Sequence, residues 1–171
     1  EKVNIFGNFQ TIEEVIRNNL VVDEGDPLNN VLYNKSIDKI KNLGFFDDVK
    51  SEVVDGSDEN LKIINITVEE QPTGEISMGA GYGSSGSTIG AGIVEKNFLG
   101  KGINLNTNFE LTEESLKGQF IFSKPNFNYS ENTLRTSIKA LTTDNLDDFG
   151  YKQSETGFSI GTTFEQYENV F

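Results

Sequence analysis

The stretch Gly81-Tyr82-Gly83-Ser84-Ser85-Gly86 has the spacing G-x-G-x-x-G, which can cradle a pyrophosphate. That chemistry needs a strand that ends where a helix begins, so that backbone N–H groups and the helix N-terminus converge on the anion. The chain continues as "STIGAGIVEKNFLGKG", with further glycines, alternating small and apolar residues, and no helical period. No β-α-β pattern surrounds it. The stretch therefore reads as a hairpin tip. Its glycines permit positive φ, and the neighbouring ones let a sheet bend where side chains would collide.

Other chemistries are thinly represented. The chain has 171 residues without a cysteine or a histidine, which removes thiolate metal sites, cysteine nucleophiles and the commonest general base. Catalysis would need a carboxylate pair or a Ser-Lys arrangement, and no motif supports either. Asp47-Asp48 and Asp147-Asp148 are adjacent pairs whose side chains diverge on a strand, and a calcium site lacks its spaced ligands. We expect no enzyme, no metal and no cofactor. A net charge of −13 opposes nucleic-acid phosphates.

Residues 1–71 read as an α+β unit of order β-α-α-β-β. "KVNIF" is a strand closed by Gly7-Asn8, and Thr11 with Glu14 spells a capping box before Ile12, Val15, Ile16 and Leu20. A second helix is predicted from about Leu28 to Leu43, with Leu32, Ile37 and Ile40 inward and Gly44 as its stop. Two strands come next, around a turn at Asp55-Gly56-Ser57-Asp58, and Phe45 and Phe46 read as core. With its own core, this unit is expected to fold alone.

Beyond Pro72 the helical period vanishes, and six segments of about membrane-strand length remain. Residues 103–111 set Ile103, Leu105, Thr107, Phe109 and Leu111 against Asn104, Asn106, Asn108 and Glu110; segments 116–122, 134–140 and 156–165 alternate likewise. In 74–83 and 88–95 glycine often replaces the polar residue. Alternation suits any half-buried antiparallel sheet, so a soluble ligand-binding barrel or sandwich is an alternative. A polar face fit for a wet lumen and aromatics near strand ends favour a membrane barrel. So does a contrast between the short connections "SSGS" and "TEES" and the long, acidic "TTDNLDDFGYKQSE". Glu1 opens directly into a strand and "NVF" stops mid-pattern, as expected of an internal fragment.

"GNFQTIEEVIRNNL", "EGDPLN", "IDKIKNLGFFDDV" and "ITVEEQPTGEISMGAGYGSSGSTIGAGIVEKNFLGKG" occur in that order between residues 7 and 102. The set resembles the BamA family of outer-membrane barrel assembly proteins: the last POTRA domain (1–71) and the first strands of an antiparallel transmembrane β-barrel (72–171), incomplete at about six strands. The resemblance implies a non-enzymatic role, the assembly and insertion of β-barrel proteins into the bacterial outer membrane, with the POTRA in the periplasm. Partners would be unfolded outer-membrane proteins, accessory outer-membrane lipoproteins and membrane lipids. It implies an edge strand for unfolded clients at Asp47, Asp48, Val49, Lys50, Ser51, Glu52, Val53 and Val54. Gly74, Glu75, Ile76, Ser77, Met78, Gly79, Ala80, Gly81, Tyr82 and Gly83 would form a lateral gate. Glu24, in "EG", would lie near the contact with an accessory lipoprotein, and Asn97-Phe98-Leu99-Gly100 matches the turn after barrel strand two. A two-partner-secretion transporter of the same superfamily is the alternative.

Overall fold

The computed structural model describes residues 2–164 except 59, 84, 85 and 131, and leaves the side chains of 129, 147 and 148 outside the description. The chain divides into two units, one of Glu1–Thr73 with Leu99–Gly102, the other of Gly74–Phe98 with Ile103 onward.

In the first unit the elements run β1 (Lys2–Phe6), α1 (Glu13–Arg17), α2 (Asn30–Asn42), β2 (Phe46–Asp55) and β3 (Lys62–Glu70). β3 is central, parallel to β1 and antiparallel to β2. The strands alternate so that Val3, Val49, Ile64, Ile66 and Val68 meet Ile16, Ile37 and Ile40 of the helices, with Phe45 and Phe46 packed edge-to-face beside them. These side chains are the core. Asn29 caps α2 by accepting the N–H groups of Val31 and Leu32, and Gly44, at φ +69°, ends the helix. Leu32, expected inward, is 37% exposed because it stands on the first turn, above the core layer.

The capping box does not form. α1 is a helix of 5 residues whose N-cap is Ile12, with no side-chain cap. Thr11 is buried and its N–H donates to Glu70 Oε1 at 2.6 Å, while Glu70 Oε2 accepts from Phe9 and Gln10 at 3.0 and 2.9 Å. Three successive N–H groups thus nest around one carboxylate. The next donor, Ile12 N–H, finds Gly100 O at 2.9 Å. The tertiary acceptors displace the local motif.

The first unit also includes Leu99–Gly102. Leu99, Gly100 and Gly102 all have positive φ. A Cβ on Gly100 would stand 1.9 Å from Gln10 O, so only glycine allows this approach. The hydrophobic core lies wholly within residues 3–68, but the donors ahead of α1 are completed by this later turn.

The second unit is a six-stranded antiparallel meander: β4 (Gly74–Gly83), β5 (Gly86–Phe98), β6 (Ile103–Thr112), β7 (Ser115–Lys124), β8 (Thr133–Asn145) and β9 (Tyr151–Thr163). β4 and β5 pair down to Gly83↔Gly86, so "GYGSSG" is a hairpin tip and the dinucleotide reading falls; Ser84 and Ser85 themselves lie outside the described residues. The sheet is open, with β4 and β9 at its edges.

Two expectations about this sheet need correction. First, "SSGS", "TEES" and "TTDNLDDFGYKQSE" do not contrast two sides. They join β4–β5, β6–β7 and β8–β9, and in a meander such connections all fall at the same end. Much of the long one is strand, since β8 and β9 pair as far as Asn145↔Tyr151 and only the helical turn α3 (Leu146–Phe149) and Gly150 intervene. Polar residues that read as loop pair across the ladder: Lys152–Asp144 at 2.7 Å and Asn145–Tyr151 at 2.7 Å. Second, crowding accounts for only one glycine of β4, Gly74, where a Cβ would lie 2.9 Å from Glu95 Oε2. A Cβ at Gly79, Gly81 or Gly83 would meet nothing within 4 Å. Crowding occurs across the ladder at Gly92, where a Cβ would lie 2.8 Å from both Asn108 Oδ1 and Ser77 Oγ.

Candidate functional site

The residues singled out by sequence lie on strand edges. β2 is an outer strand of the first sheet, and it begins with a bulge: Phe46 pairs with Glu70 and Asp48 with Glu69, leaving Asp47 as the extra residue. Beyond the bulge the ladder runs without interruption from Asp48 to Asp55. Val49 faces the core, and Ser51 accepts the Tyr33 hydroxyl hydrogen bond at 2.6 Å. Lys50 pairs with Asp48 at 3.0 Å, which holds the Asp48 carboxyl below and the Lys50 ammonium above their usual values. Among the described residues no side chain bonds to the backbone of Lys50–Val54, so its outward N–H and C=O groups are available.

The other outer strand of this sheet, β1, differs. Val3 N–H donates to Glu24 Oε1 at 2.9 Å, and Arg17 Nη2 donates to Val3 O at 2.9 Å. Arg17 Nη1 also reaches Glu24 Oε1 at 3.2 Å, and Arg17 Nε reaches Glu13 at 2.6 Å. The Val3 N–H foremost, with the Arg17 guanidinium, holds the Glu24 carboxyl below its ordinary range despite some burial. Glu24 is therefore a structural partner of the strand, with 44% of its side chain still exposed. Sequence reasoning missed this role, because the bond spans a fold-dependent distance that no local motif encodes.

Glu70 was likewise missed. Burial pushes its carboxyl up, but the Thr11 hydroxyl and the N–H groups of Thr11, Gln10 and Phe9 outweigh it, and the net displacement is downward. A group held low in the folded state stabilises it at pH values above the ordinary carboxylate range, and that contribution disappears as pH falls through the lowered value. Glu70→Ala leaves the Thr11 N–H without its acceptor while water reaches the other two donors. We expect a loss of about 1–3 kcal/mol, read as a lower thermal midpoint at pH 7, with the gap from the parent narrowing in acid. An unchanged midpoint at pH 7 would remove Glu70 from the stabilising set.

In the second unit the register aligns one apolar face. Ile76, Ile93, Thr107, Phe120, Ile138 and Phe158 form a continuous row across all six strands. Ser77, Gly92, Asn108, Gln119, Lys139 and Gly157 form the adjacent row on the opposite face. The apolar side chains are not a core: Ile76, Met78, Phe109, Phe158 and Ile160 are 56–84% exposed. Lys117 and Glu110 pair at 2.7 Å on the polar face. Aromatics mark both ends of the strands, Tyr82, Phe149 and Tyr151 at one and Phe98 and Phe127 at the other. β4, the proposed gate strand, is exposed along its entire length and pairs only with β5. No helix is long and apolar enough to cross a membrane, and no cluster of metal-ligating residues occurs among the described residues.

Residues 1–71 match the family model POTRA, described as surface antigen variable number repeat. The curated relatives include the outer membrane protein assembly factor BamA of Neorickettsia risticii, 38% identical over 100 residues, which are 58% of this chain and 13% of that protein. The BamA of Neisseria meningitidis serogroup B is 27% identical over 74% of this chain and 16% of its own. The crystal structure of BamA from Haemophilus ducreyi lacking POTRA domains 1–3 superposes over 99% of this chain and 33% of that one, at TM-score 0.86 and 27% identity. Over these residues the chain is similar to BamA-family proteins. It spans about a seventh of the curated BamA proteins it matches. CdiB from Escherichia coli shares the fold at TM-score 0.63 and 14% identity, over 95% of this chain and 32% of that one. The POTRA match covers residues 1–71, so β2 is an edge of the sheet within the matched segment and β4 an edge of the sheet that comes after it.

Proposed function

We propose that this chain is the membrane-proximal POTRA domain and the first barrel strands of a factor that assembles β-barrel proteins into the bacterial outer membrane, with no enzymatic step. The observation that carries the proposal is the pairing of a POTRA sheet with a six-stranded meander that is apolar and exposed on one face and polar on the other. A lipid-facing surface accounts for the exposed row, and a wet lumen accounts for Asn108, Gln119 and Lys139. Strands of 10 to 13 residues are long enough to span a bilayer when tilted. In this reading the domains divide near residue 72, the POTRA lies in the periplasm, and the barrel lies in the outer membrane among its lipids.

Unfolded outer-membrane proteins would add a strand to β2. Backbone bonding makes little demand on client sequence, and Lys50–Val54 is the stretch past the bulge where it is unobstructed. Asp47 and Asp48 would limit how far such a strand extends. β4 would be the lateral gate, because Gly79, Gly81 and Gly83 weaken pairing where no collision requires them. Glu24 retains enough exposure for a basic group of an accessory lipoprotein to approach it.

Depletion of the full-length protein tests the function. Barrel proteins as a class should accumulate unfolded in the periplasm. The CdiB likeness keeps a dedicated transporter as the second reading. Loss of one secreted partner, with other barrels assembled normally, would select that reading instead.

A further inference from the structure

Each outer strand of a sheet offers unpaired backbone groups, and folds suppress the ones they do not use. The POTRA sheet has two, β1 and β2. On β1 the outward groups of Val3 are both taken by side chains, the N–H by Glu24 Oε1 and the C=O by Arg17 Nη2, each at 2.9 Å. Glu24 and Arg17 join each other at 3.2 Å, so the pair supplies one acceptor and one donor in place of a neighbouring strand. Glu13 holds Arg17 from its other side. The clip borders a cavity of about 800 Å³ whose lining includes Val3, Val22, Leu28, Leu32, Leu61 and Ile64. The same cavity is also lined by Lys2, Asp23, Asp26, Asn29 and Lys62, so a strand added to β1 would find backbone partners and a recess of mixed polar and apolar lining for its alternate side chains.

We propose that the Arg17–Glu24 clip closes a latent second acceptor for unfolded client strands, and thereby confines strand addition to β2. The inference rests on the reading of β2 as the client-binding edge. Without the clip, β1 has the two requirements for strand addition, free outward groups at Val3 and a recess beside it. β2 has free outward groups from Lys50 to Val54 and no comparable clip among the described residues.

The test uses the full-length protein in outer-membrane vesicles with a single-cysteine unfolded barrel client. The described chain has no cysteine of its own, so Lys2→Cys reports on β1 and Lys50→Cys on β2. With the clip intact, disulfide crosslinks should form from Lys50→Cys and stay at background from Lys2→Cys. Arg17→Ala with Glu24→Ala should raise the Lys2→Cys crosslink at least tenfold. Glu24→Gln keeps an acceptor for Val3 N–H and should stay near background. Slow amide exchange of Ile64 and Ile66 verifies that the sheet is intact; if the double variant fails this check, Glu24→Ala alone carries the test, with an intermediate increase. A Lys2→Cys signal at background in the folded clipless protein, while Lys50→Cys still crosslinks, overturns the clip and leaves the β2 reading standing. Loss of the Lys50→Cys crosslink with a gain at Lys2→Cys overturns the β2 reading and supports the clip. Crosslinking at neither edge overturns both.

Discussion

A disulfide joining β4 to the last strand of the complete barrel should leave the barrel folded and reduce client assembly to background, and reduction should restore it. The expectation rests on what glycine does in β4 and what it does not do. Gly79, Gly81 and Gly83 have no atom within 4 Å of where a Cβ would stand, so packing does not select them. They lower the stability of pairing and contribute no side chains to fix register. In a closed barrel every strand has two neighbours, and a uniformly tight seam would serve stability best. A seam that must exchange its partner for a client strand needs reversible backbone pairing. Gly79→Val and Gly81→Val give a graded version, since β-branched residues favour strands by up to about 1 kcal/mol each; assembly should slow without loss of folded barrel. Normal assembly by the locked protein would falsify lateral opening.

Phe109→Arg and Phe120→Arg should each destabilise the barrel by about 2–4 kcal/mol if the positions lie near the bilayer midplane. Asn106→Arg should be almost neutral. The three residues lie on neighbouring strands and differ mainly in the face they occupy. Phe109 pairs with Ala91 and Gly118 and Phe120 with Thr107 and Ile138, within the apolar rows. Asn106 pairs with Val94 and Ile121 on the opposite face, beside Asn108, to which it is hydrogen-bonded at 2.7 Å. The measurement is denaturant unfolding of the full-length protein folded into liposomes. Equal tolerance on both faces would exclude lipid contact and favour a soluble barrel.

The rows of the sheet were legible because a strand has a side-chain period of two and the register preserves it. Ile103, Leu105, Phe109, Phe120 and Ile138 lie on the face their alternation assigned. Gly44 as a helix stop and Phe45 and Phe46 as core were equally local signals. Local grammar failed where it was overridden at a distance. Thr11 carries a capping sequence, but Glu70 and Gly100 offer better acceptors, and α1 shrinks accordingly. The polar run 142–155 mimics a loop because its residues 142–145 pair with its own residues 151–154, folded back on themselves. Glu24 and Arg17 show no pattern in the chain that would reveal a bond to Val3. Such contacts are fixed by the fold, and a single sequence has no period that records them.

The hydrogen bond from Ile12 to Gly100 also has a consequence in time. It joins the start of α1 to a turn that lies beyond α2, β2, β3, β4 and β5 in the chain. A chain delivered from its N-terminus can bring the POTRA core together once β3 has arrived, yet the donor ahead of α1 must wait until two further strands have emerged. During that interval the Ile12 N–H, just ahead of α1, lacks its partner in the folded structure. Completion of this domain is thus a late event, timed by the arrival of the first hairpin of the sheet that comes after it.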